Sequence, residues 1–424
     1  MATIISGDDD FNTGSSIRNT ARNSSLNQEP VTQATSTTTG MSSTIYTGNG
    51  GASQSITAGI AMATGGFGGL VWLKSRDSAF QHGIYDTVRG ASKDLHTDST
   101  VIEGLDSGVS SFTSTGIVIG ANSKWNTNLD DCVAWSWQTN QKTTGTTNRN
   151  KPYTCHYNTD LGFSIVGYEG DGVDGHEVSH HLGVEPELSI FKNRDGVTSW
   201  IVTSDVLLPN GYLTLETANT LLNGRITRSS DITYSMLESS THNALGDNLV
   251  SYHFASKEGV SKVGKYTGTG AAGNYVDCGF KAGWVMVKNL TTGSTDWQIY
   301  DGIRGNASGL YPNESLAEDT SDAFNATVTA EAGFIVGGAS GNTNASGDEY
   351  LFLAFAETNT DATKSWTDYD YPTTADTLSI QQDTLISFAD GFNASGQVDT
   401  QENVGAGVTY SLGATHENKH YWLY

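Results

Sequence analysis

Proline is scarce in this chain, 6 residues in 424, which excludes collagen-like and polyproline architectures. Cysteine is scarcer: Cys132, Cys155 and Cys278 lie far apart. An odd, dispersed set builds no disulfide framework and has no zinc-ligand spacing, and it suits assembly in a reducing cytoplasm. Basic residues number 22 against 46 acidic ones, a formal charge of −24. That field repels phosphate backbones and anionic lipid, so no nucleic-acid partner is expected. No apolar run approaches the roughly 20 residues that span a bilayer, so no membrane insertion is expected. The opening MATIISGDDDFNTGSS lacks the basic start and apolar stretch of a secretory signal, so export by that route is not expected.

What is present is Gly (49 residues), small polar residues and many aromatics, with 9 Trp, 18 Tyr and 14 Phe. The aromatics supply more apolar area than a disordered chain carries, so the reading is folded, polar and turn-rich. The length exceeds what one core usually serves and points to several domains.

One order of features occurs three times. Each copy opens with a strand-like run through a Tyr into a glycine turn: IYTGNG, IVGYEGDG and VGKYTGTG. An apolar run closed by Lys74, Lys192 or Lys288 follows. Next comes an aromatic segment ending in Asp86, Asp205 or Asp301, and last the runs CVAWSW, LVSYHF and YLFLAF, in which Val133, Val250 and Leu353 are taken as equivalent. The intervals agree closely, with drift confined to polar stretches, as insertions tolerated in loops would leave them. Period-2 alternation puts Val133, Trp135 and Trp137 on one strand face, and Leu351, Leu353 and Phe355 on another.

The expected fold is therefore all-β: three tandem antiparallel β-sandwiches of jelly-roll or lectin-like type. The organisation expected is an extended polar arm over residues 1–42, sandwiches over 43–138, 160–257 and 258–357, a linker over 139–159, and a small C-terminal β segment over 358–424.

The chemical motifs have plainer readings. His176-Glu177-Val178-Ser179-His180 matches the H-E-x-x-H zinc-protease pattern, with His181 as an extra ligand, but that chemistry needs a helix and the flanking GDGVDG is a turn. Asp171 and Asp174, and Asp8 to Asp10, read as turn residues and not as a calcium loop. The pairs Asp86/Arg89 and Asp301/Arg304 in D-x-x-R-G read as loop-fixing ion pairs, worth about 0–1 kcal/mol if exposed. There is no G-x-S-x-G elbow and no distinguished carboxylate pair, so no enzyme, no cofactor and no metal are expected. Trp72, Trp284, Trp200, Trp297 and Trp135 fall at repeated positions and read as core. Trp125, Trp366 and Trp422 have no counterpart and are the candidate binding residues, for an exposed contact or a subunit interface.

The repeated run resembles a domain found, often in tandem, in virion structural and tail-fibre-type proteins of tailed bacteriophages. The resemblance rests on IYTGNGG with LVWLKSRD and IYDTVRG, and on KYTGTG with WQIYDGIRG and NASGDEYLFLAFAE, and covers about residues 43 to 357. The middle copy departs most, with SWIVTSDVLLPNG where the others have D-x-x-R-G.

The resemblance implies a non-enzymatic virion protein, assembled in the host cytoplasm, of tail-fibre or appendage type, that attaches the particle to the host surface. A capsid decoration or cement protein is the alternative, and a glycan-binding or glycan-depolymerising phage protein the second. Other virion proteins, met through residues 1–42, are the implied partners, together with further copies of the chain as a trimer and a host surface glycan.

Overall fold

The structure is a computed structural model. It describes residues 34–37, 40–63, 65–207, 211–223, 227–230, 233–236, 240–305, 308–319 and 332–357, with four short strands beyond. The chain divides into two compact units, Met1–Thr358 and Asn359–Tyr424. Within the second, Thr377–Ser379 pairs with Thr409–Ser411 and Gly391–Phe392 with Val398–Asp399. Trp366 and Trp422, and Asp8 to Asp10, lie outside the described residues.

Among its described residues the first unit is all-β and antiparallel, with one short helix, Ser123–Asn126, capped by the Asn122 side chain. Its three main sheets share one strand order. In the first, Met41–Thr47 neighbours Asp131–Thr139, then Gly68–Ser75, then Gly83–Asp86. The second runs Phe163–Glu169, Asn248–Phe254, Leu188–Asn193 and Ile201–Ser204. The third runs Ser261–Thr267, Glu349–Ala356, Ala282–Asn289 and Gln298–Asp301. We call the chain around these sheets the first, second and third segments.

Register refines the alignment read from sequence. Lys74, Lys192 and Lys288 pair with Val133, Val250 and Leu351, so Leu351, not Leu353, is the counterpart of Val133 and Val250, and Leu353 is that of Trp135 and Tyr252. Ile84, Val202 and Ile299 face Trp72, Ile190 and Met286, which makes Ser204, not Asp205, the counterpart of Asp86 and Asp301. A one-residue slip turns every side chain to the opposite face, so the register is decided by burial and not by counting along loops.

Residues 139–159, expected as a linker, instead form the strands Gln141–Thr146 and Pro152–Asn158, which extend the second sheet. Their Thr, Tyr and His residues alternate about the NRNKP turn, and strand pairing overrides the polar composition. In the arm, Ala34–Thr37 forms a hairpin with Met41–Thr47.

Each main sheet is covered on one face by a smaller sheet. Ile56, Val109, Ile117 and Ile119 pack on Val71, Leu73 and Ala134 in the first segment. Val178 and Tyr234 pack on Val166 and Phe191 in the second, and Val276, Phe334 and Val336 on Val285, Val287 and Phe352 in the third. The opposite faces of all three main sheets meet in one common core that holds Trp72, Trp135 and Trp137, Ile190, Tyr252 and Phe254, and Trp284, Met286 and Leu353. Being buried on both faces, the central strands read as continuous apolar runs. Gly68–Ser75 is buried at every position.

Candidate functional site

The repeated tyrosine-glycine turn has a structural cause. The hydroxyls of Tyr46, Tyr168 and Tyr266 donate to the carbonyls of Trp125, His242 and Thr343 at 3.0, 2.7 and 2.6 Å. Two residues on, a Cβ at Gly48, Gly170 or Gly268 would lie 2.1 Å from a backbone carbonyl oxygen, so only glycine fits. The sequence reading missed the third part of this knot. Asn126, Asn243 and Asn344 each accept the N–H of Asn49, Asp171 or Thr269 through the side-chain oxygen. Their spacing before the last strand was the available signal.

The three repeated lysines are fully buried and work as loop clamps. Lys74 Nζ donates to the carbonyls of Ser75 and Ser78, at 2.7 and 3.2 Å. Lys192 Nζ reaches Thr198 and Thr100, at 2.6 and 3.0 Å, and Lys288 Nζ donates to Thr295. Burial holds each ammonium down to about 8, since the surrounding carbonyls only partly replace water.

The D-x-x-R-G motif, read from the sequence as a loop-fixing ion pair, is the centre of a larger arrangement and is buried: both side chains of each pair are 0% exposed. At the junction of the first and second segments, Asp86 Oδ2 accepts Arg89 Nε at 2.5 Å and the hydroxyl of Tyr252 at 2.8 Å. Arg89 Nη1 donates to Glu103 at 3.1 Å, and Glu103 also accepts both arms of Arg194 at 2.8 Å. These arginines hold the Glu103 carboxyl down to about 2 against the opposing effect of burial, which raises it.

The junction of the third and first segments repeats this part for part. Asp301 Oδ2 accepts Arg304 Nε at 2.6 Å and the indole N–H of Trp135 at 2.7 Å. Arg304 Nη1 donates to Glu318 at 2.9 Å, and Glu318 accepts Arg76 Nε at 2.8 Å.

At the junction of the second and third segments every member is replaced. Ser204 stands at the aspartate position and Leu207 at that of Arg89 and Arg304. Leu221 holds the place of Glu103 and Glu318, Leu290 that of Arg194 and Arg76, and Leu353 that of Tyr252 and Trp135. Leu207 and Leu353 belong to the common core, with Leu221 and Leu290 packed against it. A buried ionic network and a set of well-packed leucines of similar volume are near-equivalent in stability, provided that no charge is left alone. The leucine junction therefore differs from the other two as a set.

A second contact type links the same pairs of segments. Trp200 Nε1 donates to the His96 carbonyl at 2.8 Å, and Trp297 Nε1 to the Thr214 carbonyl at 3.0 Å. In the first segment the residue in register is His82, which lies by the backbone of Tyr311 and accepts Trp72 Nε1 through Nδ1 at 2.9 Å. His82 Nε2 makes no hydrogen bond of sound geometry. Burial, the largest cause, and Lys74 hold the His82 ring well below its usual value, neutral.

The zinc-protease pattern falls on the strand His176–Ser179, not a helix. Alternation buries His176 and His180 and turns Glu177 outward. His176 bonds Asn243 and Thr147 at 2.8 and 2.9 Å, and His180 Nε2 the Ser230 carbonyl at 3.0 Å. His181 meets the Tyr153 hydroxyl at 2.9 Å. Among the described residues no group of three His, Cys, Asp or Glu is placed to hold a metal ion. Asp171 accepts from Asn243 Nδ2 within its turn.

Trp125, offered by the sequence as an exposed contact or subunit-interface residue, is 0% exposed. Its ring packs edge-on to Tyr85 and lies over His96, so its faces are closed to a glycan. The short helix turns it inward, a step that sequence alternation does not reveal. The repeated tryptophans Trp72, Trp135, Trp200, Trp284 and Trp297 are all buried. No helix among the described residues is long and apolar enough to cross a membrane. The three cysteines are free and buried.

Comparison with curated proteins and with solved structures found no match. One family model matches residues 36–359, three segments in a single span, and its description is a domain of unknown function, DUF7483. With most of its length inside that match, the chain belongs to the DUF7483 domain family.

Proposed function

We propose that this chain is a non-enzymatic structural component of a tailed-phage particle, of tail-fibre or appendage type, that contributes to attachment at the host surface. One observation carries the structural half of this reading. The charged motif that most resembles catalytic machinery, Asp-Arg with a following Glu, is sealed inside two junctions and holds segments together. A group that must meet a substrate keeps a face toward it. The virion half rests on the resemblance of the repeated run. The cyclic order of the contacts, first to second and third to first, suits a building block that sits on or near a threefold position.

The test is gold-labelled antibody against the chain on intact particles. Label at the tail or its fibres is the expected result, and label on the head favours the decoration reading. Particles that carry none of the protein refute both.

A further inference from the structure

The three junctions differ in how the chain reaches them. The second segment passes into the third through residues 255–260 alone, between Asn248–Phe254 and Ser261–Thr267. The first passes into the second through the hairpin Gln141–Thr146 and Pro152–Asn158, itself part of the second sheet. No such link joins the third to the first. Its contacts bring together residues 166 apart in sequence for Trp135 and Asp301, 242 for Arg76 and Glu318, and 215 for Thr97 and the Pro312 carbonyl.

Closing so long a loop costs more entropy than closing a short one, and a short tether raises the effective concentration of the two faces it joins. Counted between equivalent strands, the shorter connection is 255–260, against 140–162 from the first to the second, and the junction it serves carries leucines where the other two have the ionic network. The junction with no tether keeps the full network, with the Arg304 guanidinium lying 5.3 Å from the centre of the Trp135 ring besides.

We propose that Asp301, Arg304, Glu318, Arg76 and Trp135 form a latch that closes the three segments into a ring, and that its release parts the third segment from the first about residues 255–260 as a hinge. The first and second segments stay joined in this motion, and the leucine seam between second and third serves as the pivot. Gly259, with φ +70°, supplies a left-handed residue inside the hinge.

Each junction carries its own indole N–H: Trp135 on Asp301, Trp200 on His96 and Trp297 on Thr214. Native-state exchange of these three protons, followed by NMR on the full chain labelled with ¹⁵N-indole, reads the junctions separately. Glu318→Gln is expected to speed exchange at Trp135 at least tenfold, with Trp200 and Trp297 unchanged, and to speed proteolytic cutting at 255–260. Glu103→Gln removes the equivalent carboxylate from the first-to-second junction and is expected to leave Trp135 and the 255–260 cutting rate unchanged. Should Glu318→Gln fail to fold, Arg76→Gln decides, since it loosens Glu318 from outside and leaves the Arg304–Asp301 pair intact. Acceleration of all three indoles together, or of Trp135 by Glu103→Gln as much as by the latch variants, overturns the proposal.

Discussion

The indole N–H of Trp135 ends on Asp301 Oδ2, in the same relation that the Tyr252 hydroxyl has to Asp86. One donor is an indole and the other a phenol, yet both stand at one register place and both reach the aspartate of a neighbouring segment. Where that place holds Leu353, the counterpart of the aspartate is Ser204, followed by Leu207 in place of arginine.

Removing one donor should be felt without collapse. Tyr252→Phe leaves Asp86 paired with Arg89 and takes away one bond to a buried charge, a loss of about 1–3 kcal/mol. Denaturant titration is the check, and an unchanged midpoint would show that this bond contributes nothing.

The leucine junction predicts strong non-additivity. Arg304→Leu alone leaves the buried Asp301 carboxylate without its cation, and Glu318 with Arg76 only, and should cost about 3–5 kcal/mol. Combining it with Asp301→Ser, Glu318→Leu, Arg76→Leu and Trp135→Leu copies the second-to-third junction and should recover most of that loss. Equilibrium unfolding of the single and the fivefold variant separates coupled from independent contributions.

The buried lysines set an alkaline trend. Their folded values near 8 lie below the ordinary 10.5, so between the two the unfolded chain binds more protons and stability rises with pH. The three cysteines, ordinarily near 9 and pushed up by burial, offset the three lysines once they ionise in the unfolded chain. A rise confined to roughly pH 8–9 is expected by thermal unfolding, and Lys288→Met should flatten it by about a third.

An acid trend has the same cause. Burial holds His82 and His253 well below 6.5 and His156 at about 4, so each is neutral in the fold and takes a proton on unfolding. Stability is expected to fall as pH drops from 6.5 towards 4, by on the order of 2 kcal/mol for His156. His156→Gln should remove its share, measured as the slope of stability against pH.

Leu129 stands in a left-handed conformation, φ +70°, where the other segments have Gly246 and Gly347 at +78° and +85°. All three N–H groups donate to the glycine carbonyl of the repeated turn, Gly48, Gly170 or Gly268. Leu129→Gly should relieve strain and raise stability by roughly 0.5–1 kcal/mol. Leu129 is 67% exposed, so no core contact is lost. A drop in melting temperature would count against this account.

Alternation and turn chemistry act over a few residues, so the all-β antiparallel class and the threefold recurrence of tyrosine-glycine turn, lysine and aromatic strand are legible along the chain. The glycines of the turn and the lysines at the strand ends are such local requirements. That Asp86 meets Tyr252, that Glu103 and Glu318 bridge arginines of two segments, and that Leu207, Leu221, Leu290 and Leu353 stand in their places follows from the three-dimensional packing. Those partners are brought together by packing across intervals of up to 242 residues. No periodicity encodes such a distance, and burial alone settles which register and which facing residue belong together.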